Sequence, residues 1–119
     1  MAETFRPRQR IRRRVEFQHV YERGRKVHGR LLTMFILPNG LEVSRLGVAA
    51  TRKLGNAVKR NLAKRRIREI FRRRRPEIPC DVVVVPRQAF FGAEFLDVCH
   101  EYESLLSRPS RRPREGPRA

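Results

Sequence analysis

The sequence contains little of what catalysis or metal binding requires. It has no tryptophan, two tyrosines and two cysteines in 119 residues. The cysteines, Cys80 and Cys99, lack the CxxC or Cys/His spacing of a metal site, and a reducing compartment disfavours a disulfide between them. The three histidines, His19, His28 and His100, are scattered and have no neighbouring nucleophile or carboxylate, so surface or boundary positions are expected for them. We predict no catalytic residue and no tightly bound metal.

Long apolar runs are also absent. No segment approaches the roughly 18 consecutive apolar residues that a membrane-spanning helix needs. Residues 1–14 lack the apolar core of a signal peptide. We therefore expect a cytoplasmic protein without a membrane partner.

Acidic residues are few. The chain has 12 Asp and Glu against 29 Lys and Arg, a formal net charge of +17. Arginine supplies almost all of the positive charge, and its planar guanidinium pairs with phosphate through two hydrogen bonds and stacks on bases. The composition therefore predicts a nucleic acid partner.

The length fits one domain. Both ends are poor in apolar residues and rich in charge, and such segments bury too little surface to offset the entropy of ordering. We expect a mobile basic arm at 1–9, one RNA-binding domain at 10–107 and a disordered Pro/Arg-rich tail at 108–119.

The first half of the domain predicts one helix and two strands. Apolar residues at i, i+3 and i+4 indicate a helix over 14–23 that ends at Gly24. Two apolar runs, 31–37 and 45–50, flank the turn sequence of residues 38–40. This pattern predicts two antiparallel strands joined by a turn.

The second half predicts helix, strand and helix. A long helical periodicity follows Gly55 and ends before Pro76. The run at 81–85, DVVVV, is typical of a strand buried on both faces. A last amphipathic helix is expected to start near Gly92. The order α-β-β-α-β-α predicts an α/β sandwich around a small sheet.

The basic helix after Gly55 has two distinct faces on a helical wheel. One arc is apolar: Ala63, Ile67, Ile70 and Phe71. The adjoining arc is polar and basic: Asn61, Lys64, Arg65 and Arg68. This spacing suits a phosphate backbone. Arg52 and Lys53 precede the helix, whose N-terminal end would itself attract phosphate.

The competing interpretation is a solvated helix face with no ligand, which most charged runs are. Such a face normally mixes signs through i,i+4 pairs. Between Arg52 and Arg75 the only acid is Glu69. The uncompensated repulsion favours a bound polyanion, RNA or DNA.

The same stretch resembles a known signature. The run K-L-G-N-A-V-K-R-N-x-x-K-R-x-x-R-E, from Lys53 to Glu69, is similar to that of the protein subunit of bacterial ribonuclease P. Upstream, E-F-x-x-V-Y-x-x-G at 16–24 supports the resemblance, which covers roughly residues 8–107. Where that family commonly reads Arg-Asn-Arg, this chain has Arg60-Asn61-Leu62. On the helical wheel Leu62 lies away from the basic arc, so the missing charge should reduce the RNA-binding site without abolishing it.

The resemblance implies a fold and a role. The fold is a two-layer α+β sandwich with a small mixed sheet, ordered α-β-β-(β)-α-β-α, and a left-handed βαβ crossover. The role is that of the protein subunit of a ribonucleoprotein endoribonuclease whose RNA removes the 5′ leader of precursor tRNA. Its partners would be ribonuclease P RNA and precursor tRNA, with no obligate protein partner. Mg²⁺ would be held mainly by the RNA and the substrate.

The resemblance also implies two sets of binding residues. Against the catalytic RNA it places Arg52, Lys53, Asn56, Lys59, Arg60, Asn61, Lys64, Arg65 and Arg68. In a cleft for the single-stranded leader it places Phe17, Tyr21 and Phe35. Aromatic faces stack on unpaired bases with little sequence preference, which suits a leader site. From periodicity alone, core packing is the stronger interpretation of these three rings.

Three other functions compete with this one. A ribosomal or other structural RNA-binding protein has similar size and charge. A self-sufficient nuclease would need a general acid and base at recognisable spacing, which the chain lacks. A chromatin protein would need residues that read duplex grooves.

Overall fold

The computed structural model describes residues 9–108, which form a four-stranded mixed sheet with α-helices packed on it. The elements are α1 (Arg14–Arg23), β1 (Arg25–His28), β2 (Leu32–Pro38), β3 (Arg45–Val48), α2 (Ala57–Arg73), β4 (Cys80–Pro86) and α3 (Phe95–Ser107). A 3-10 segment at Gln88–Gly92 precedes α3. Of the expected arm and tail, only residues 9 and 108 lie within the described part, and Gln9 is buried.

The sheet order is β1-β2-β4-β3. β1 pairs with β2 and β2 with β4 in antiparallel fashion, whereas β3 and β4 are parallel and α2 connects them. The predicted α+β sandwich with a mixed sheet is confirmed. The predicted pairing of the strands at 31–37 and 45–50 is wrong, because β4 lies between β2 and β3. The valines at 82–84 are fully buried, and a strand buried on both faces takes a central position in a sheet.

Hydrophobic periodicity did not predict strand β1, although the order implied by the resemblance includes a third strand before α2, as the structure does. The four residues of β1 read RKVH, and only Val27 is buried, so the strand lacks the apolar alternation that reveals a half-buried strand. Its position is set by β2, with which it pairs from Arg25↔Ile36 to His28↔Thr33. Non-local pairing thus decides the structure of a segment whose own pattern is uninformative.

The helices cover the two faces of the sheet unequally. α2 and α3 pack on one face, where the buried residues of the predicted apolar arc contact strand residues such as Met34 and Val82. α1 packs on the other face, where Val20 and Ile11 contact Val83. A ten-residue helix covers only part of that face, so some apolar residues there stay half-buried. They are Phe17 and Tyr21 on α1 itself, and Phe35, Leu37, Ala49 and Val85 beside it.

An ion network fixes α1 to the sheet. Glu16 accepts hydrogen bonds from the backbone N–H groups of Arg12 and Arg13, each at 3.2 Å, and from Arg45 Nη1 at 3.2 Å. Arg45 also donates to both oxygens of the buried Asp81 carboxylate, at 2.8 and 2.6 Å. Partial burial opposes ionisation of Glu16, but these donors outweigh it and hold the pKa of Glu16 below its ordinary value. The hydrogen bond to Asp81 raises the pKa of Arg45. Because Glu16 lies in the first turn of the helix and pairs with Arg45 of β3, this network sets the position of α1.

Candidate nucleic acid interface

The start of α2 is built by three local contacts. Asn56 caps the helix, and its side-chain oxygen accepts from the backbone N–H of Lys59 at 3.0 Å. Gly55 has a φ of 154°, which favours glycine, and a Cβ there would lie 2.8 Å from Lys59 Cδ. Arg60 folds back and donates from Nη1 to the Gly55 carbonyl at 2.9 Å. The turn before the helix is therefore rigidly defined.

The predicted basic arc of α2 lines an open groove, which we call the basic groove. Its volume is about 560 Å³. Its lining residues are Arg10, Asn61, Lys64, Arg65, Arg68, Glu69 and Arg72. The structure thus brings together the four residues expected from the wheel and adds two cations. Arg72 follows Arg68 by four residues, so the wheel could have found it; Arg10 comes from another segment and could not be found in this way.

Arg10 reaches the groove by extending the sheet. It forms an isolated parallel bridge with Leu46 of β3, and the next backbone N–H, that of Ile11, donates to the Leu46 carbonyl at 2.9 Å. Burial lowers the pKa of Arg68, and the nearby guanidinium of Arg10 lowers it further. Two guanidiniums that repel each other at the wall of a groove form a favourable place for a phosphate.

Five of the predicted RNA-binding residues lie outside the basic groove. They surround the start of α2: Arg52, Lys53, Asn56, Lys59 and Arg60. Arg52 and Lys53 are exposed in a turn, and Gln88 Nε2 holds that turn by donating to the Lys53 carbonyl at 2.8 Å. Lys59 Nζ lies 5.5 Å from the ring centre of Phe91. These residues form a second cationic area at the N-terminal end of the helix.

Leu62 does not line the basic groove. This agrees with its place on the wheel, away from the basic arc; the side chain is half-buried on α2. Glu69, the one acid of this stretch, forms ion pairs with Arg72 and, at 2.6 Å, with Arg73.

The three predicted aromatic residues lie together where α1 meets the sheet: Phe17 and Tyr21 belong to α1, and Phe35 belongs to β2. The ring centres of Phe17 and Tyr21 are 6.4 Å apart, and those of Tyr21 and Phe35 are 4.9 Å apart in an edge-to-face arrangement. All three rings are half-buried beside Val85 and Ala49. Each ring therefore packs on the protein and also presents surface to solvent. We call this surface the aromatic cleft.

Phe17 lies directly on the backbone of β3. A Cβ on Gly47 would come within 2.8 Å of the Phe17 Cε1 and Cζ atoms and 3.1 Å of Ile11 Cβ. The ring can lie there only because Gly47 has no side chain. Phe17 also lines a smaller groove, of about 300 Å³, together with Arg10, Lys64 and Arg68. The aromatic cleft and the basic groove are therefore neighbours.

Other kinds of site find little support in the described residues. Within residues 9–108, no three or more His, Cys, Asp or Glu side chains come together in a way that could hold a metal ion. Burial raises the pKa of the Cys80 and Cys99 thiols, which opposes thiolate chemistry. In the same part of the chain, no helix has the length and apolar character needed to cross a membrane.

The sequence matches one protein-family model, described as Ribonuclease P, over residues 5–110. The ribonuclease P protein component of Thermotoga maritima is 38% identical over 114 residues, which cover 91% of this chain and 97% of that protein. The corresponding protein of Desulfovibrio desulfuricans is 44% identical over 113 residues, covering 88% and 86% of the two chains.

Solved structures agree with the sequence matches. The ribonuclease P protein of Thermotoga maritima superposes with a TM-score of 0.76 at 34% identity, over 84% of this chain and 96% of that one. The ribonuclease P protein of Staphylococcus aureus superposes with a TM-score of 0.74 at 33% identity, over 82% and 92% of the chains.

Proposed function

The chain belongs to the family of bacterial ribonuclease P protein components, and from this premise we propose that its basic groove binds the RNA subunit and its aromatic cleft binds the precursor tRNA leader. As a family member, it is the protein part of a ribonucleoprotein endoribonuclease that processes the 5′ end of tRNA.

The basic groove supports the contact with the RNA subunit. Asn61, Lys64, Arg65, Arg68 and Arg72 follow one side of α2, and Arg10 adds a sixth polar group from the neighbouring segment. Burial lowers the pKa of Arg68 and the Arg10 guanidinium lowers it further, and a phosphate bound between the two side chains would offset their repulsion. This convergence of cations is the observation that carries the proposal.

The aromatic cleft supports the contact with the leader. A leader is single-stranded and varies in sequence, so its site must bind bases without reading them. Half-buried rings meet this need, because each stacked base contributes about 1–3 kcal/mol whatever its identity. Phe17, Tyr21 and Phe35 are fixed by packing on one side and exposed on the other.

The chemistry of cleavage is assigned to the RNA. We propose that the Mg²⁺ ions of the assembly are held chiefly by RNA phosphates, because residues 9–108 bring no carboxylate cluster together. The protein would lower repulsion where the RNA subunit and the substrate meet. The cytoplasmic location expected from the sequence stays a prediction.

The first experiment measures precursor tRNA cleavage at low Mg²⁺ by a bacterial ribonuclease P RNA, with and without this protein. We expect cleavage at the mature 5′ end only when both are present. No effect of the protein would favour a ribosomal or other structural RNA-binding role, and cleavage by the protein alone would place catalysis in the chain itself.

Matched variants then test the basic groove. Arg65→Ala removes an exposed groove cation, whereas Arg66→Ala removes a neighbouring cation on the same helix that does not line the groove. We expect Arg65→Ala to weaken RNA binding and to reduce the slope of log K against log salt by about 1. Equal effects of the two variants would contradict the assignment.

A second pair tests the aromatic cleft. Phe17→Ala removes a ring of the cleft, and Phe95→Ala removes a half-buried ring on α3, which packs on the other face of the sheet. We expect Phe17→Ala to weaken binding of precursor tRNA more than binding of leaderless tRNA, and Phe95→Ala to leave the ratio of the two affinities unchanged. Equal loss of both substrates in Phe17→Ala would contradict a leader site.

A further inference from the structure

Beyond the aromatic cleft, the same face of the sheet carries a lysine and a histidine on β1. Side chains alternate along a strand, so Lys26 and His28 share one face. The register places Lys26 opposite Phe35 and His28 opposite Thr33. Lys26 Nζ lies 5.8 Å from the ring centre of Phe35, and both Lys26 and His28 are exposed.

A second cation, Arg87, is held beside β1 by a chain of contacts. Its backbone N–H donates to the Leu31 carbonyl at 2.9 Å. Its guanidinium contacts the His28 imidazole through Nε2 of the ring, and His28 Nδ1 lies 3.0 Å from Thr33 Oγ1. The side-chain partner of Arg87 in this contact is an imidazole, not a carboxylate, so pairing with it does not cancel the positive charge.

These cations continue the line of the rings. From Phe17 over β3, the line passes through Tyr21 to Phe35 on β2 and then to Lys26 on β1. Neighbouring strands lie about 4.8 Å apart, so three spacings from β3 to β1 give a path of roughly 14 Å. At about 3.4 Å per stacked nucleotide, this path holds at most about four bases. A longer leader that keeps this direction passes over β1.

The end of the path near β3 borders α2 and the basic groove, because Phe17 lines one small groove together with Lys64 and Arg68. The RNA subunit is proposed to lie there, so the β1 end is the far end. We propose that Lys26 and Arg87 bind backbone phosphates of leader nucleotides that lie beyond those stacked in the aromatic cleft. This inference rests on the proposed leader site and extends it across the edge of the sheet.

The test compares precursor tRNAs with short and long leaders, bound by the assembled RNA and protein. Leaders of about two and about eight nucleotides bracket the length of the path. We expect Lys26→Ala and Arg87→Ala each to weaken binding of the long-leader substrate several-fold and to leave the short-leader substrate unchanged. For the long leader, the slope of log K against log salt should fall by about 0.7 for each contact removed.

Two controls keep the outcome interpretable. Arg74→Ala removes an exposed cation at the end of α2, on the other face of the sheet, and should leave both substrates unchanged. Lys26→Arg keeps the charge and should retain long-leader binding. Equal losses at both leader lengths, or no loss at the long leader while the wild-type protein gains affinity with length, would overturn the inference alone. If the wild-type protein gains no affinity from any leader, the proposed leader site fails as well.

Discussion

Gly47→Ala tests how the backbone of β3 positions Phe17. The added methyl group would lie 2.8 Å from two ring atoms of Phe17 and 3.1 Å from Ile11 Cβ, closer than carbon atoms pack. Overpacking a filled site costs about 1–3 kcal/mol. Because Phe17 is half-buried, its ring can turn outward, so we expect a loss near the lower limit, about 1 kcal/mol of unfolding free energy.

Displacement of the Phe17 ring by Gly47→Ala should also weaken binding of the leader. A lost stacking contact costs about 1–3 kcal/mol, and moving a ring without removing it should cost about 1 kcal/mol, or roughly a five-fold loss of affinity. The assays are urea unfolding and equilibrium binding of leader-bearing and leaderless tRNA. We expect a five-fold loss for the first substrate only.

The matched control for this prediction is Gly92→Ala, where an added Cβ meets nothing within 4 Å. It should change neither stability nor binding. In a Phe17→Leu background the Gly47→Ala substitution should cost less stability, because the contacting ring atoms are gone. If Gly47→Ala leaves both stability and leader binding unchanged, Phe17 does not depend on β3 for its position.

Three further predictions concern stability. The pKa of Glu16 in the folded protein lies below its ordinary value of 4.5. The stability that ionised Glu16 contributes is therefore present above that pH and is lost as the pH falls through the folded-state pKa. The difference in unfolding free energy between the wild type and Glu16→Gln should shrink in acid, and a constant difference would contradict the assignment. Asn56→Ala removes the cap on the Lys59 N–H and should cost about 1 kcal/mol in urea unfolding, whereas Asn56→Asp should cost little. Tyr102→Phe removes a hydrogen bond to the Arg74 carbonyl at 3.1 Å and should also cost about 1 kcal/mol; unchanged thermal stability would show that this bond contributes nothing.

The character of α2 could be predicted because all of its signals are local. The apolar arc, the basic arc and the turn at Gly55 depend on spacing within one helix, and the structure confirms them. Local spacing also predicts the ends of α1, from Arg14 to Gly24. What a helical wheel cannot show is which other segment lies beside it, and for that reason Arg10 was missed.

Strand pairing was predicted less well because it is not local. Two apolar runs around a turn favour a hairpin, yet β4 separates β2 from β3. The sequence does contain a signal against the hairpin: the valine run at 82–84 is apolar on both faces, which is typical of a strand inside a sheet that is covered on both faces. Together with the two strands predicted before it, this run indicates that β4 lies between them.

The aromatic residues show why packing and binding were hard to separate from the sequence. Phe17 lies on Gly47 with one part of its ring and lines an open groove with another, so both interpretations describe the same side chain. The same groove contains Arg10, Lys64 and Arg68. An RNA phosphate bound by these cations would therefore lie against the segment that carries Phe17. It follows that the two proposed contacts share residues 10–17, and that binding of the RNA subunit would help to hold the ring on which the leader stacks.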